Sequence, residues 1–243
     1  MSWKFLKTVH IASISVAALV LLGAPSGAVT VPGSANPFLA GQPDGATCCT
    51  DSAPAQSPVL ALSGAFGGTI LTFSTSGGTN FTGGTPAPTA DGFDTVNFNM
   101  DANNFGISGP LHVNASGLVG VFINDNVPSG PTAPAQRDDG LAFTSISPQL
   151  NQIFWIGDGL TGTGSGSVQQ FTAPVGATRL FLGTADGVEW SNNIGAITLT
   201  VNELTPSAVP LPATLPLFAT GLGALGLLGW RRKRKLSISQ SVL

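Results

Sequence analysis

The chain has 243 residues, of which only 9 % are charged, with 32 Gly, 18 Pro and no Tyr. That composition excludes a cytosolic helical protein and fits a Gly/Ser/Thr-rich extracellular β protein of one or two domains. The net charge of −3 hides an asymmetry, because seven of the nine Lys and Arg lie at the two ends, leaving Arg137 and Arg179 against all twelve acidic residues in the middle, a net −10. A surface this acidic repels nucleic acid and anionic headgroups, so neither is expected as a partner of the middle region; it suits cations or neutral polar ligands such as sugars.

Residues 1–28 have the three parts of a secretory signal. Lys4 and Lys7 form a basic leader, residues 11–22 are uncharged and mostly apolar, and Ser26 and Ala28 are the small residues that a signal peptidase reads. Cleavage is expected after Ala28. A retained anchor is the alternative, but the apolar run is short for a membrane span.

Residues 29–204 read as one β domain, with β-type runs at 59–62, 69–73, 95–100, 118–124, 141–145, 152–156, 168–172, 179–183 and 196–201. Val96, Phe98 and Met100 alternate with Thr95, Asn97 and Asn99, and Ile197, Leu199 and Val201 alternate with Thr198 and Thr200. Period two between turn signals marks half-buried strands. About nine strands, with no convincing amphipathic helix between the end segments, predict an all-β, antiparallel β-sandwich, a jelly roll or related fold with apolar residues enough for one core. Residues 82–90 and 126–140 are expected to be long surface loops.

Cys48 and Cys49 are the only cysteines, and the signal segment places them in an oxidising compartment. A vicinal disulfide, two free thiols and cross-links between chains all remain open, the first slightly favoured. Two soft ligands alone do not make a zinc site. Catalysis finds little support. His112 is the one histidine after the signal segment, and no H-E-x-x-H or G-x-S-x-G pattern is present. Asp138 and Asp139 are adjacent, which is poor geometry for the two carboxylate roles of a glycan hydrolase. The chain is therefore not expected to be an enzyme. Residues 157–167, "GDGLTGTGSGS", lack the ending of a phosphate-binding loop and read as a hairpin loop.

The segment 180–201, "LFLGTADGVEWSNNIGAITLTV", is the most informative of the middle region. A strand ends near Gly183, a loop carries Asp186, Glu189, Asn192 and Asn193, and a strand restarts near Ala196. Several oxygen-bearing side chains between two anchored strands suit Ca²⁺, which takes six to eight hard oxygen ligands. A solvated hairpin loop is the plain alternative.

Residues 205–208 form a short linker, and residues 211–230 are twenty residues without a charge. As a helix of about 30 Å they match a bilayer core. Arg231, Arg232, Lys233, Arg234 and Lys235 follow at once and stop transfer, leaving residues 236–243 as a short cytoplasmic tail. Trp230 stands where an interfacial aromatic belongs.

Two stretches resemble known families. "VPLPATLPLFATGLGALGLLGWRRKRK", residues 209–235, resembles the PEP-CTERM sorting tail of Gram-negative, exopolysaccharide-producing bacteria: a short proline motif, an apolar helix and an arginine-rich end. Pro210-Leu211-Pro212 replaces the usual Pro-Glu-Pro. The resemblance implies recognition of Val209, Pro210, Leu211, Pro212 and Ala213 by an exosortase and removal of the tail near that motif. It further implies export across the inner membrane, a transient membrane anchor, and release to the cell surface or extracellular matrix.

Residues 154–183 and 185–202 resemble the C-terminal half of the calcium-dependent, galactose-binding bacterial lectins, which are galactose-binding-domain-like jelly rolls. The family loop, Asp-x-x-x-Thr-x-x-Asn-Asn, binds one Ca²⁺ whose shell a sugar completes. The resemblance implies Asp186, Asn192 and Asn193 as metal ligands and exopolysaccharide or a galactose-like sugar as partner. Trp190 stands at the Thr position, in a loop one residue shorter. Stacking on a sugar and closing the site as a hydrophobic lid are the two roles open to Trp190. A structural matrix component without a ligand is the rival function, and a secreted glycan hydrolase a third.

Overall fold

The computed structural model describes residues 27–51 and 56–204. The sorting motif, the apolar segment and the basic block lie outside the described residues, as does most of the signal segment. Among the described residues no helix is long and apolar enough to cross a membrane.

Those residues form thirteen strands and two single 3-10 turns: β1 Val29–Pro32, β2 Val59–Ser63, β3 Ile70–Asn80, β4 Phe93–Phe98, β5 Val113–Ala115, β6 Leu118–Ile123, β7 Ser145–Ile146, β8 Ile153–Trp155, β9 Leu160–Gly162, β10 Ser165–Val168, β11 Gln170–Thr172, β12 Arg179–Thr184 and β13 Ile194–Leu204. One sheet runs β1-β13-β3-β11-β7 and the other β2-β12-β6-β8; β9–β10 and β4–β5 are separate ribbons. Pairing is antiparallel except between β7 and β11. β1 begins at the residue after the expected signal cleavage and pairs with β13 from Val29↔Leu199 to Pro32↔Ala196.

The two large sheets bury their facing sides against each other, as in a β-sandwich. Leu71, Phe73, Phe171, Ile197, Leu199 and Val201 come from one sheet, and Leu118, Phe122, Phe154, Leu180 and Leu182 from the other. Alternation along β13 places Ile197, Leu199 and Val201 inside, as the sequence predicts. Phe122 stacks on Phe154 with ring centroids 4.9 Å apart. Truncating such a ring to Ala costs about 3–5 kcal/mol.

The single expected core is in fact two. Strand β6, "LVGVFI", is buried on both faces. Val119, Val121 and Ile123 point away from the sandwich interior into a second cluster with Phe38, Met100, Ile107, Trp155 and Trp190. Phe38, Ile107 and Trp190 lie outside both the predicted and the observed strands, and Val119, Val121 and Ile123 face away from the sandwich interior, so a count of apolar strand residues does not separate this layer from the first.

Three predicted strands differ. Residues 168–172 divide at Gln169 between β10, in the ribbon with β9, and β11, in the five-stranded sheet. Residues 141–144 do not pair as a strand, because the Gln169 amide donates to the carbonyls of Leu141 and Phe143, both at 2.9 Å. β4 pairs only with β5, and with no third strand over it Val96 stays exposed. Residues 157–167 do hold a hairpin, the β9–β10 ribbon, which the Asp158 carboxylate organises by accepting from the backbone N–H of Leu160 at 2.8 Å and Gly164 at 2.5 Å.

Candidate metal centre

The loop between β12 and β13 carries the predicted metal ligands. β12 ends at Thr184, whose hydroxyl donates to the Gly33 carbonyl at 2.6 Å. Asp186 follows, 6 % exposed, with Gly187 N–H donating to its Oδ1 at 2.6 Å. The chain then turns through Trp190–Asn192 and enters β13 beyond Asn193. Asn193 is buried, and its amide nitrogen donates to Gly33 O at 3.2 Å, which leaves its Oδ1 without a partner.

A second segment meets this loop. Cys48 and Cys49 are joined in a vicinal disulfide, Cys49 and Thr50 both lie in the left-handed region, and Asp51 N–H closes the turn on Cys48 O at 3.0 Å. The turn presents Asp51 to the β12–β13 loop, where Ser191 donates its hydroxyl to Asp51 Oδ1 at 2.7 Å and its N–H to the same atom at 3.3 Å. Asn36 fixes the other side, with its amide nitrogen 3.2 Å from Cys48 Sγ.

Three buried oxygens in this cluster have no hydrogen-bond partner: Asp51 Oδ2, Asp186 Oδ2 and Asn193 Oδ1. Each buried acceptor left unmatched costs about 1–3 kcal/mol. Burial pushes the Asp186 carboxyl above its ordinary value, and the nearby Asp51 charge adds to the rise; the Asn193 side chain and the N–H groups of Gly187 and Val188 pull it back less. Two carboxylates and an amide oxygen form a hard donor set of the kind Ca²⁺ takes, and the only thiols are closed in the disulfide. Among the described residues no group of three or more His, Cys, Asp or Glu comes together. This cluster depends on its amide oxygen as the third donor.

The structure sorts the predicted residues unevenly. Asp186 and Asn193 come together. Asn192 does not join them: it is exposed, with its amide nitrogen 3.5 Å from Glu189 Oε2. Trp190 is corrected outright as a sugar-stacking residue. It is fully buried, packs edge-on against Phe38 at 6.1 Å, and donates its indole N–H to Thr184 O at 2.9 Å. No ring face is left for a ligand. Asp51 is the candidate donor that sequence reasoning missed; its one local signal is its position two residues after the cysteine pair.

No family model, curated protein or solved structure matches the chain. Elsewhere, His112 is exposed and pairs through Nδ1 with Asp138 Oδ1 at 3.1 Å, while Asp139 pairs with Arg137. The two adjacent carboxylates thus face different partners.

Proposed function

We propose that this is an exported, exosortase-sorted surface or extracellular-matrix protein of a Gram-negative bacterium. Its sandwich, of the jelly-roll, galactose-binding-like kind, holds one Ca²⁺ through Asp51, Asp186 and Asn193. The observation that supports the calcium reading is that Asp51, Asp186 and Asn193, brought near one another from two separate loops, each leave a buried oxygen without a hydrogen-bond partner. The sorting reading rests on the tail sequence alone.

Three protein oxygens fill only part of a shell of six to eight. Bound Ca²⁺ supplies the remaining positions to water or to the hydroxyls of exopolysaccharide. With Trp190 buried, sugar selectivity at this loop depends on metal coordination and on exposed neighbours such as Asn192. An incomplete protein shell implies affinity on the order of 10⁻⁴–10⁻³ M, as in extracellular modules.

The test is retention of the exported protein on a neutral galactan column at 10 mM Ca²⁺, followed by elution with chelator. Retention that chelator does not reverse refutes the calcium dependence, and no retention with no thermal shift with calcium leaves a structural matrix component without a ligand as the function.

A further inference from the structure

The Cys48–Cys49 disulfide joins neighbouring residues, so it fastens no distant elements together. The stabilisation a disulfide gives by restricting the unfolded chain grows with the loop it closes, and this loop is the shortest possible. Its effect is therefore local. The bond closes a small ring through the Cys48–Cys49 peptide, which makes the φ of Cys49 a torsion of that ring. That φ is 62°, and Thr50 follows at 66°. Two consecutive left-handed residues, neither of them glycine and the second β-branched, are sterically disfavoured. While the ring is closed, Cys49 is barred from much of the extended region. Once it is open, nothing covalent opposes relaxation of the turn.

The β12–β13 loop is tied to this turn by two short routes. On one side Asp51 N–H closes on Cys48 O at 3.0 Å, and Asp51 Oδ1 accepts the Ser191 hydroxyl at 2.7 Å and the Ser191 N–H at 3.3 Å. On the other side Asn36, fully buried, sets its amide nitrogen 3.2 Å from Cys48 Sγ and accepts the Phe38 N–H on Oδ1 at 3.0 Å. Phe38 is the ring that packs edge-on against Trp190. Trp190 and Ser191, consecutive in the loop, thus each depend on a contact that begins at the disulfide. The pair is also within reach of solvent species: both cysteines are only half-buried, and Thr47 and Thr50 beside them are exposed. Exposed disulfides are the labile, regulatory ones.

We infer that Cys48–Cys49 is a redox latch on the β12–β13 loop, opened in the folded protein by a dithiol reductant. One thiolate of the dithiol attacks a cysteine sulfur, forming a mixed disulfide and releasing the other cysteine as a thiolate, which takes a proton. The second thiol of the dithiol, losing its own proton, then displaces the first cysteine. The protein gains two thiols, and the dithiol leaves as its disulfide. The opened turn relaxes, Asp51 withdraws from Ser191 and the loop loosens. Exchange with a disulfide oxidant runs the steps backwards. The loss of calcium affinity that accompanies opening rests on the calcium reading above; the loosening of the loop does not.

Hydrogen exchange read by mass spectrometry tests this on the exported protein in chelator, before and after 10 mM dithiothreitol without denaturant. No free thiol is expected before reduction and two per chain after it. Exchange across residues 186–193 should become at least fivefold faster while β6 and β13 stay protected, and oxidised glutathione should restore the slow rate. Asp51→Ala should bring the loop to the fast rate already in the oxidised protein, and reduction should then add less than twofold. The wild-type comparison needs no variant to fold. A disulfide that opens only in denaturant overturns the inference. So does reduction that leaves residues 186–193 protected, or loss of protection that spreads to β13, which would make the bond a general staple. Oxidised protein that binds no calcium ends the calcium reading without touching these rates. Oxidised protein that does bind it should lose at least fivefold in affinity on reduction, and an unchanged affinity overturns the latch.

Discussion

Asp186→Asn should move stability in opposite directions with and without calcium. In chelator at pH 7, the wild-type domain carries a carboxylate whose folded-state pKa is raised mainly by burial. Such a group favours folding below its ordinary value and loses that contribution as pH rises through the raised one. At pH 7 its charge therefore weighs against the fold, and the neutral isostere removes that cost while keeping an oxygen for Gly187 N–H. The variant should melt at or above the wild type. With calcium the order reverses. A ligand at 100 times its dissociation constant, bound only to the folded state, adds about 2.7 kcal/mol. For a domain of about 150–250 residues each kcal/mol shifts the melting temperature by about 2–4 °C, so the wild type should gain about 5–11 °C. The variant loses one of two anionic ligands and should gain less than about 1 °C. Differential scanning calorimetry of the exported protein, in 10 mM chelator and in 10–100 mM CaCl₂, reads both effects. A variant that melts below the wild type in chelator and still gains several degrees with calcium would refute the reasoning at both points.

The same linkage predicts a pH effect. In chelator, wild type should gain stability relative to an Asp91→Asn/Asp186→Asn double variant as pH falls from 7 towards 4, because both native carboxyls have raised pKa values; the calcium gain should shrink over the same window. Replacing both Cys48 and Cys49 with Ser removes the link that stiffens the Asp51 turn, so calorimetry should show a calcium dissociation constant raised about tenfold with the fold retained. Gly157→Ala combines a positive φ with a collision against Asp91 and should lower stability by about 1–3 kcal/mol in chemical denaturation. At the tail, intact-mass measurement of released protein should show loss of Arg231, Arg232, Lys233, Arg234 and Lys235, and conversion of all five to Ser should impair release; released protein that keeps them would end the sorting proposal.

What the sequence made legible was local and periodic. The alternation of Ile197, Leu199 and Val201 identified a long strand and its inward face, and "LVGVFI" read as a strand although nothing local showed that both its faces are covered. The position of the Asp186–Asn193 loop between two strands was also legible. Side-chain direction inside that loop was not. Trp190 is turned inward by an acceptor at Thr184 O and by the Phe38 ring, and neither is visible as a spacing. Asp51 was out of reach for a related reason: it meets Ser191 across 140 residues, and no period links the two. Asp91 meets Asp158 across 67 residues, and the aspartate that looked like an ordinary hairpin residue proved to organise that contact.

The placement of the two arginines ties these sites together. Arg137 pairs with Asp139 and donates to Ser147 O and Gln152 Oε1, both at 3.1 Å. Arg179 donates to the carbonyls of Asn124 and Asn126 and lies over the Phe181 ring at 5.8 Å. Both cations are committed to surface loops, and neither reaches Asp51, Asp91 or Asp186. A buried carboxylate without an internal counter-charge has three ways to lower its free energy: it takes a proton, it binds a cation, or it accepts hydrogen bonds from a ligand. Asp51 and Asp186 lie near one another beside the Asn193 side chain, and a divalent ion bound there, as proposed, would relieve both carboxylates at once. At Asp91 one oxygen is held by the Asp158 N–H, and the other is buried away from solvent, which is why burial raises its pKa. The acidic balance of the domain therefore acts locally: with its few basic groups spent on loops, the described residues leave carboxylate oxygens of Asp51, Asp91 and Asp186 buried without a hydrogen-bond partner, and the proposed calcium site rests on the first and last of these.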